Sequence, residues 1–472
     1  MKYKFSMDIQ AGGHKSRIFS SEVCRNMYLG FSETNGKKGA HDFPGLKKLS
    51  DGTGKDRGSH VMAGERYLIN GTDLIKEDSN FSRTIIGEVP GEERAIFADD
   101  GLNLYFVTEN IIYRFFNGGL TTVSQDAIDN PKSIAYLNRQ FIITGTFEGF
   151  NDGFAVSNVG DGTTYDSLNT ATEESNPDTL LRVYVFNHYA YMFGTNSVAP
   201  WYNSGIGNPP FDRQQTALVS VGLAGKFAVT STDNFLYWLS DDKKIYKCVG
   251  SSAKAINTSG ISYQLEAFNV VDDCIASSFT YQGMDFVLFK FPTEMAAFVY
   301  NETLGYWFEL DSGTSINSRT SWLGDEVTQC YGKNLVTDYF SGHTYELDPE
   351  TYTDNGLTRL RVLTFPTISG DKVGFDGQRI TATQVRINCQ TGVGLVDGQG
   401  FDPVLMCQFS QEGGEVWKGE RHVKIGRKGD YVKNVDFWDF ATGYNIRLRI
   451  MISDPVFFSA FDGYVNIENA GF

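Results

Sequence analysis

Leu104-Tyr105-Phe106-Val107, followed by Ile111-Ile112-Tyr113-Arg114-Phe115-Phe116 and closed by Asn117-Gly118, is the stretch on which the fold turns. Two short aromatic and β-branched runs lie back to back, with Asp100-Gly101 before them and Asn117-Gly118 after. Asp-Gly and Asn-Gly suit two-residue hairpin turns, because both central positions take positive φ. Arg66-Tyr67-Leu68-Ile69-Asn70 with Gly71 repeats the arrangement upstream. The pattern is that of consecutive antiparallel strands.

Working outward, a loose unit recurs: small residues, a short strand, a turn, an aromatic strand, a turn, a strand. Its copies are anchored at Arg94-Ala95-Ile96-Phe97, Ser133-Ile134-Ala135-Tyr136, Arg182-Val183-Tyr184-Val185-Phe186, Lys226-Phe227-Ala228-Val229, Ile275-Ala276-Ser277-Ser278-Phe279 and Arg319-Thr320-Ser321-Trp322. Successive anchors lie 39 to 49 residues apart, the length of a four-stranded propeller blade. With the fragment near Tyr67, six or seven blades fit between 61 and 356. Residues 1–60 are polar and Gly-rich, with Lys and Gly around Gly36 to Gly39, and read as an extended arm carrying one or two strands. From 357 to 472 the strands lengthen. In Asn445 to Met451, Ile446, Leu448 and Ile450 alternate with Arg447 and Arg449, the signature of a half-buried antiparallel strand in a β-sandwich-like domain. Amphipathic helices are not expected; 348–354 and 178–181 allow short turns. The fold class expected is all-β, with a propeller inserted into a β-sandwich-like platform built from both chain ends.

Composition agrees. The 472 residues include 50 Gly, 12 Pro, 36 Phe and 24 Tyr, at a mean hydropathy of -0.27. Such a chain has ample surface to bury and needs many tight turns. Acidic residues number 57 against 41 basic ones, a formal charge of -16. That opposes gripping nucleic acid, which takes clustered cations. It fits either plain solubility or a wall along which a polyanion slides. The six cysteines, Cys24, Cys248, Cys274, Cys330, Cys389 and Cys407, form no CxxC pair and read as buried thiols of a reducing compartment. The N-terminal Met1-Lys2-Tyr3-Lys4-Phe5 lacks the apolar region of a signal peptide, and no run approaches the length of a membrane span.

Catalytic patterns are missing. There is no HExxH, no EF-hand ligand series around Asp241-Asp242 or Asn151-Asp152-Gly153, no GxSxG and no phosphate-binding GxxxxGK[ST]. Paired carboxylates for glycoside hydrolysis stay open, because acids are plentiful and propellers house such sites. Ser410-Gln411-Glu412-Gly413-Gly414-Glu415-Val416-Trp417 resembles the Asp-box hairpin of sialidase-type propellers, a turn staple rather than a catalytic element. Tyr237-Trp238 and Tyr306-Trp307-Phe308 suit either blade packing or stacking on sugars and bases. No catalytic, cofactor-binding or metal-binding position is assigned.

The terminal motifs carry a resemblance. Arg25-Asn26-Met27-Tyr28, then Phe43-Pro44-Gly45-Leu46, then Arg57-Gly58 resemble the opening of the packaged-DNA stabilisation proteins, the tail hub or nozzle of short-tailed bacteriophages. Phe279 to Gly283, Phe291-Pro292, Val299-Tyr300-Asn301 and Gly305-Tyr306-Trp307 resemble the middle of that family. The C-terminal order Gln408-Phe409-Ser410, Trp417, Ile425-Gly426, Trp438 and Ser453-Asp454-Pro455-Val456 is similar as well. The Lys- and Gly-rich spacer before Phe43 departs from it. The residues the resemblance marks for assembly are Asn26, Met27, Tyr28, Pro44, Gly45, Trp307, Asp454 and Pro455. It implies a non-enzymatic virion protein, without cofactor, that forms a hexameric ring below the portal and adaptor. Such a ring closes the DNA channel, retains packaged DNA without sequence-specific binding, passes it on ejection, and carries a needle or plug and fibres or spikes. The ring would be assembled in the host cytoplasm and reside in the tail. The competing readings are a carbohydrate-binding or carbohydrate-hydrolysing propeller and a non-viral propeller scaffold.

Overall fold

The computed structural model describes residues 1–12, 22–31, 36, 38–173, 178–214, 219–249 and 252–471. Residues 32–35 and 37 of the Lys- and Gly-rich spacer ahead of Phe43 lie outside the described residues. Seven four-stranded antiparallel units follow one another along the chain. Their innermost strands are Asp56–Met62, Ile96–Asp99, Asp129–Leu137, Leu180–Phe186, Val229–Ser231, Ile275–Tyr281 and Gly324–Cys330, and neighbouring units abut through them around a circle that closes between the last and the first. The molecule is therefore a seven-bladed β-propeller. Five of the sequence anchors fall on or at the start of innermost strands, where small residues let blades approach the axis. The sixth, Arg319 to Trp322, lies just ahead of its strand.

The turns behave as their sequences dictate. Asn117 and Gly118 both adopt left-handed φ, of 48° and 79°, joining Ile111–Phe116 to Gly119–Thr122. Between blades, apolar side chains interleave: Ile69, Leu74, Phe106 and Tyr113 fill the gap between blades one and two.

Blade seven is completed by a strand from the other end of the propeller. Gly45–Ser50 pairs with Thr344–Asp348, with Leu46 opposite Leu347. Blade one opens at Asp56, so residues expected to form an arm supply strands on both sides of the closure. The described residues up to Ser50 form five strands where one or two were expected. Their short runs are interrupted by Gly and polar residues, and pairing with distant segments stabilises them more than local pattern does.

The platform is a two-sheet β-sandwich made from both chain ends. One sheet runs Met27–Phe31, Lys38–Asp42, Ser459–Gly471, Arg379–Cys389, Val435–Gly443, with Lys2–Ser6 beside Ser459–Gly471. The other runs Val23–Arg25, Arg361–Thr364, Asn445–Ile452, Val404–Ser410, Lys418–Lys424. This second sheet is continuous with blade six, because Val23–Arg25 also lies parallel to Tyr306–Glu309. A single apolar core then runs from Phe286 and Phe308 of blade six and Tyr345 of blade seven through Phe43 to Leu363, Ile450 and Ile467 of the platform.

Two further expectations fail. The strand Asn445–Ile452 is buried on both faces, not one, because it is central in a sheet whose second face is covered. Arg447 Nε there donates to Phe365 O at 2.8 Å. Arg449 Nε donates to Gln408 Oε1 at 2.6 Å, and its guanidinium stacks 4.1 Å from the Trp417 ring. Among the described residues there is also one α-helix, Ser259–Ala267, in which Thr258 accepts from Ile261 N at 3.2 Å as N-cap and Ile261 and Leu265 form the buried face. The cap and the i, i+4 apolar pair were visible in the sequence, but nine residues gave too short a period.

Candidate functional site

Of the residues in the terminal motifs, Asn26, Tyr28 and Phe43 lie at the junction between platform and propeller. Asn26 is wholly buried and adopts φ 55°, a left-handed conformation that Asn tolerates better than most residues. Its amide nitrogen donates to Asp311 O at 2.7 Å and Leu360 O at 2.8 Å, and its Oδ1 accepts from Asp311 N at 3.0 Å. One side chain thus ties the N-terminal segment to the exit of blade six and to the first C-terminal platform strand. Met27 and Tyr28 are buried beside it, and the Tyr28 hydroxyl donates to Gln282 Oε1 at 2.7 Å. Tyr28 also borders a cleft of about 330 Å³ with His41, Gln282 and Met284.

Phe43 packs against Phe308, Phe279 and Phe286 with ring centroids 5.4, 6.2 and 6.5 Å away. Pro44 is buried next to it. At Gly45 a Cβ would lie 2.4 Å from Thr353 O and 2.5 Å from Thr351 O, so only glycine passes between the two segments. Arg57 bolts blade one to blade two: Nε donates to Glu93 O at 2.7 Å, Nη1 to Val89 O at 2.7 Å and Nη2 to Thr108 Oγ1 at 3.0 Å. Trp307 Nε1 donates to Ile256 O at 3.1 Å, joining blade six to the segment after blade five. Its hairpin is turned by Gly305, φ 75°, whose N–H meets Asn301 O at 2.8 Å.

At the far end of the chain, the Ser453 to Val456 turn is gripped by Arg361, a residue the sequence reading passed over. Arg361 donates to Asp42 Oδ2 and Val456 O, both at 2.6 Å, and to Asp454 O. Asp454 Oδ2 accepts from Val404 N at 2.8 Å, and Pro455 is half-buried in the turn. Burial raises the Asp42 carboxyl above its ordinary range despite Arg361 and Arg359 beside it. A charged residue inside an apolar run, Leu360-Arg361-Val362, was the available signal. The marked residues are thus engaged in packing and hydrogen bonds between segments, and Tyr28 also borders a cleft.

A second cluster sits where blades one, two and seven meet near the axis. The Arg94 guanidinium donates to Asp56 Oδ2 at 3.0 Å, to Glu326 Oε2 at 2.6 Å and to Asp325. Three carboxylates thus share one cation in a buried site. Desolvation is the largest influence on Asp56 and pushes its carboxyl up to about 7, and Asp325 moves in the same direction. Phe227 lies under Arg94 and Arg182, 5.6 and 5.9 Å from their guanidinium carbons. The neighbouring axial depression, about 240 Å³, is lined by His60, Asp99, Tyr136, Arg182 and Tyr184. There His60 Nε2 meets Asp99 Oδ2 at 2.6 Å, and Arg182 donates to Lys226 O at 2.8 Å.

Among the described residues, no group of three His, Cys, Asp or Glu side chains is placed to share a metal ion. The cysteines are free thiols, and burial pushes those of Cys24, Cys274 and Cys407 far up. Ser410 Oγ accepts from Gly414 N at 2.9 Å, so the box-like segment is a turn staple at a platform hairpin. Among the described residues, no helix is long and apolar enough to cross a membrane.

Solved structures similar to the chain include the extracellular domain of the one-component system BT4673 from B. thetaiotaomicron. It has 10% identity and a TM-score of 0.46 over 83% of this chain and 48% of that one; this chain thus spans about half its length. BamB from Moraxella catarrhalis is similar at 10% identity and a TM-score of 0.34, over 64% of this chain and 92% of that one. The Pan2 WD40 domain of Neurospora crassa matches at 8% identity and a TM-score of 0.37, over 67% and 87%. No curated protein matches the sequence. A family model, described as bacteriophage P22 Gp10, beta-propeller, matches residues 6–352. That stretch takes in Asn26, Met27, Tyr28, Pro44, Gly45 and Trp307, while Asp454 and Pro455 lie beyond it. With the propeller and its N-terminal closure inside the matched stretch, the chain belongs to the phage stabilisation family of P22 Gp10, a family of β-propeller proteins.

Proposed function

We propose that this phage stabilisation protein acts as a tail hub: a ring, hexameric by resemblance, set below the portal and adaptor, that closes the DNA channel, retains the packaged genome and passes it on ejection. The observation that carries the reading is that three residues of the N-terminal motifs, Asn26, Tyr28 and Phe43, join platform to propeller. A molecule whose distinguishing side chains hold two bodies in fixed relation is suited to transmitting load between partners. A needle or plug and fibres or spikes would occupy its remaining faces, and catalysis has no part in the role.

Charge distribution supports the passage of DNA. Residues 56–356 hold 39 acidic and 18 basic side chains, whereas the rest of the chain holds 18 and 23. The negative charge thus resides in the propeller, and an acidic wall repels a polyanion that must move quickly. The native mass of the tail complex formed by this chain tests the ring: six copies are expected, and a single copy per tail would overturn it. Neutralising propeller acids and timing genome release tests the wall, for which unchanged release would be fatal.

A further inference from the structure

One boundary between blades differs from the rest. Buried apolar clusters join blade one to two, two to three, three to four, four through five to six, and six to seven. Among the described residues, no such cluster joins seven back to one. Polar groups hold that closing seam instead. Ser59 N and Oγ both donate to Glu326 Oε1 at 2.7 Å, Asp56 N donates to Tyr339 O at 3.1 Å, and Arg66 N donates to the Tyr331 hydroxyl at 3.1 Å. The Arg94 cluster lies on the same seam, with Asp56 from blade one and Asp325 and Glu326 from blade seven.

Charge in the cluster does not balance. A single nitrogen, Arg94 Nη1, serves both Asp56 Oδ2, at 3.0 Å, and Asp325 Oδ2. Both aspartates are wholly buried, and among the described residues Oδ1 of each has no hydrogen-bond partner. The other cations facing the cluster are engaged elsewhere. Arg66, which faces Asp56, is bonded to Glu77 at 2.7 Å. Lys290 of blade six, which faces Asp325, donates to Ser321 Oγ and Trp322 O, both at 2.5 Å. Arg182 of blade four faces Glu326 and donates to Lys226 O at 2.8 Å. His60, on the same strand as Asp56, meets Asp99 at 2.6 Å. Two dry carboxylates on one guanidinium nitrogen, each with an unbonded oxygen, repel one another unless one of them is neutral.

We propose that Asp56 and Asp325 form a proton-operated latch on the closing seam: holding one proton between them, they let Arg94 clasp blades one and seven together, and losing it, they repel across the seam and open it locally. Desolvation acts in the required direction, pushing Asp56 up to about 7 and raising Asp325 as well. The closed seam keeps its proton where a solvated aspartate, at about 4, has lost it. The latch is thus fully shut below about 4 and loosens as pH rises through 7. The other boundaries have apolar clusters to hold them through the same interval.

Hydrogen exchange resolved to single amides of the full-length chain, corrected for the pH dependence of the exchange chemistry, tests the latch. Between about pH 5.5 and about pH 8, one proton released on opening predicts roughly a thirtyfold loss of protection at Asp56, Ser59 and Arg66, whose N–H groups bond across the seam. The comparison amide is that of Val183, bonded to Ser133 Oγ at 2.9 Å across blades three and four. Asp325→Asn, which imitates the neutral acid, should keep the seam amides protected at the higher pH, and so should Asp56→Asn. His60→Gln should leave the thirtyfold change in place. No change at the seam, an equal change at Val183, or a full change persisting in either asparagine variant overturns the latch. Loss of the change in His60→Gln would assign the pH response to the His60–Asp99 pair and equally overturn it. The comparison with Val183 is made on the unaltered chain and decides the matter even where a variant fails to fold.

Discussion

Replacing Asn26 by alanine should loosen the platform from the propeller more than any other single truncation of its size. The side chain makes three hydrogen bonds inside the junction, at 2.7, 2.8 and 3.0 Å, and the residue is wholly buried. Alanine leaves two carbonyls and one N–H without partners. At roughly 1–2 kcal/mol for each unmade buried bond, the loss is about 3–6 kcal/mol. Alanine must also hold the left-handed backbone, adding about 1 kcal/mol. Asn26→Gly keeps the first loss and relieves the second, so it should be the milder of the two. Asn26→Asp is the sharper probe. It preserves shape and the bond from Asp311 N, but turns a carboxylate oxygen toward two carbonyls. Urea unfolding followed by Trp fluorescence is the assay, because Trp307 and Trp322 lie near the junction and are buried; midpoints at constant slope give the free energies. If Asn26→Ala unfolds within about 1 kcal/mol of the parent, the junction is not held by this residue and the reading of its motif is wrong.

Other outcomes follow from the same structure. Glu77 is wholly buried and accepts from Arg66 at 2.7 Å, Arg83 at 2.9 Å and Ser50 at 2.6 Å, tying blade one to blade seven. Glu77→Ala, which strands two cations, should cost about 3–5 kcal/mol and speed proteolysis at the blade closure. Gly45→Ala should destabilise by about 2 kcal/mol or more through the clash with Thr351 and Thr353, and its thermal midpoint reads this directly. The cluster around Arg94 should make stability depend on pH. With the folded Asp56 carboxyl near 7 and its unfolded value near 4, the folded state binds the extra proton between those limits. Stability from this group is therefore greatest below about 4 and falls as pH rises toward 7, by up to about 1.4 kcal/mol per pH unit. Asp56→Asn should remove that slope in urea titrations at pH 4 to 7, and an unchanged slope would refute the assignment.

The propeller was legible because its blades are local. Leu104 to Gly118 pairs within itself, and Asn117-Gly118 specifies its own turn. The anchor spacing then followed from the repeat. What escaped notice is long-range. Nothing within Gly45–Ser50 signals that it pairs with Thr344–Asp348, since the match depends on where the circle closes. Arg361 and Asp42, 319 positions apart, meet at 2.6 Å, and neither has a neighbour in sequence that announces the other. The strand Asn445–Ile452 misled for a related reason: alternation reports polarity, and an arginine whose N–H groups are satisfied by carbonyls can be buried like an apolar residue. The junction residues were singled out by resemblance, but their work there could be read only once the three segments were brought together.

The circle that Gly45–Ser50 closes also sets a timetable for biosynthesis. That strand leaves the ribosome before any blade exists, and its partner Thr344–Asp348 follows nearly three hundred residues later. Lys2–Ser6 waits longer still, until Ser459–Gly471 can lie beside it. At about 5–20 residues per second, the earliest strands spend tens of seconds unpaired while six blades fold one after another. A chain interrupted between residues 348 and 459 would hold its propeller strands yet lack a finished platform. Translation through residues 459–471 thereby acts as a checkpoint, and only copies that pass it can finish the sandwich sheet.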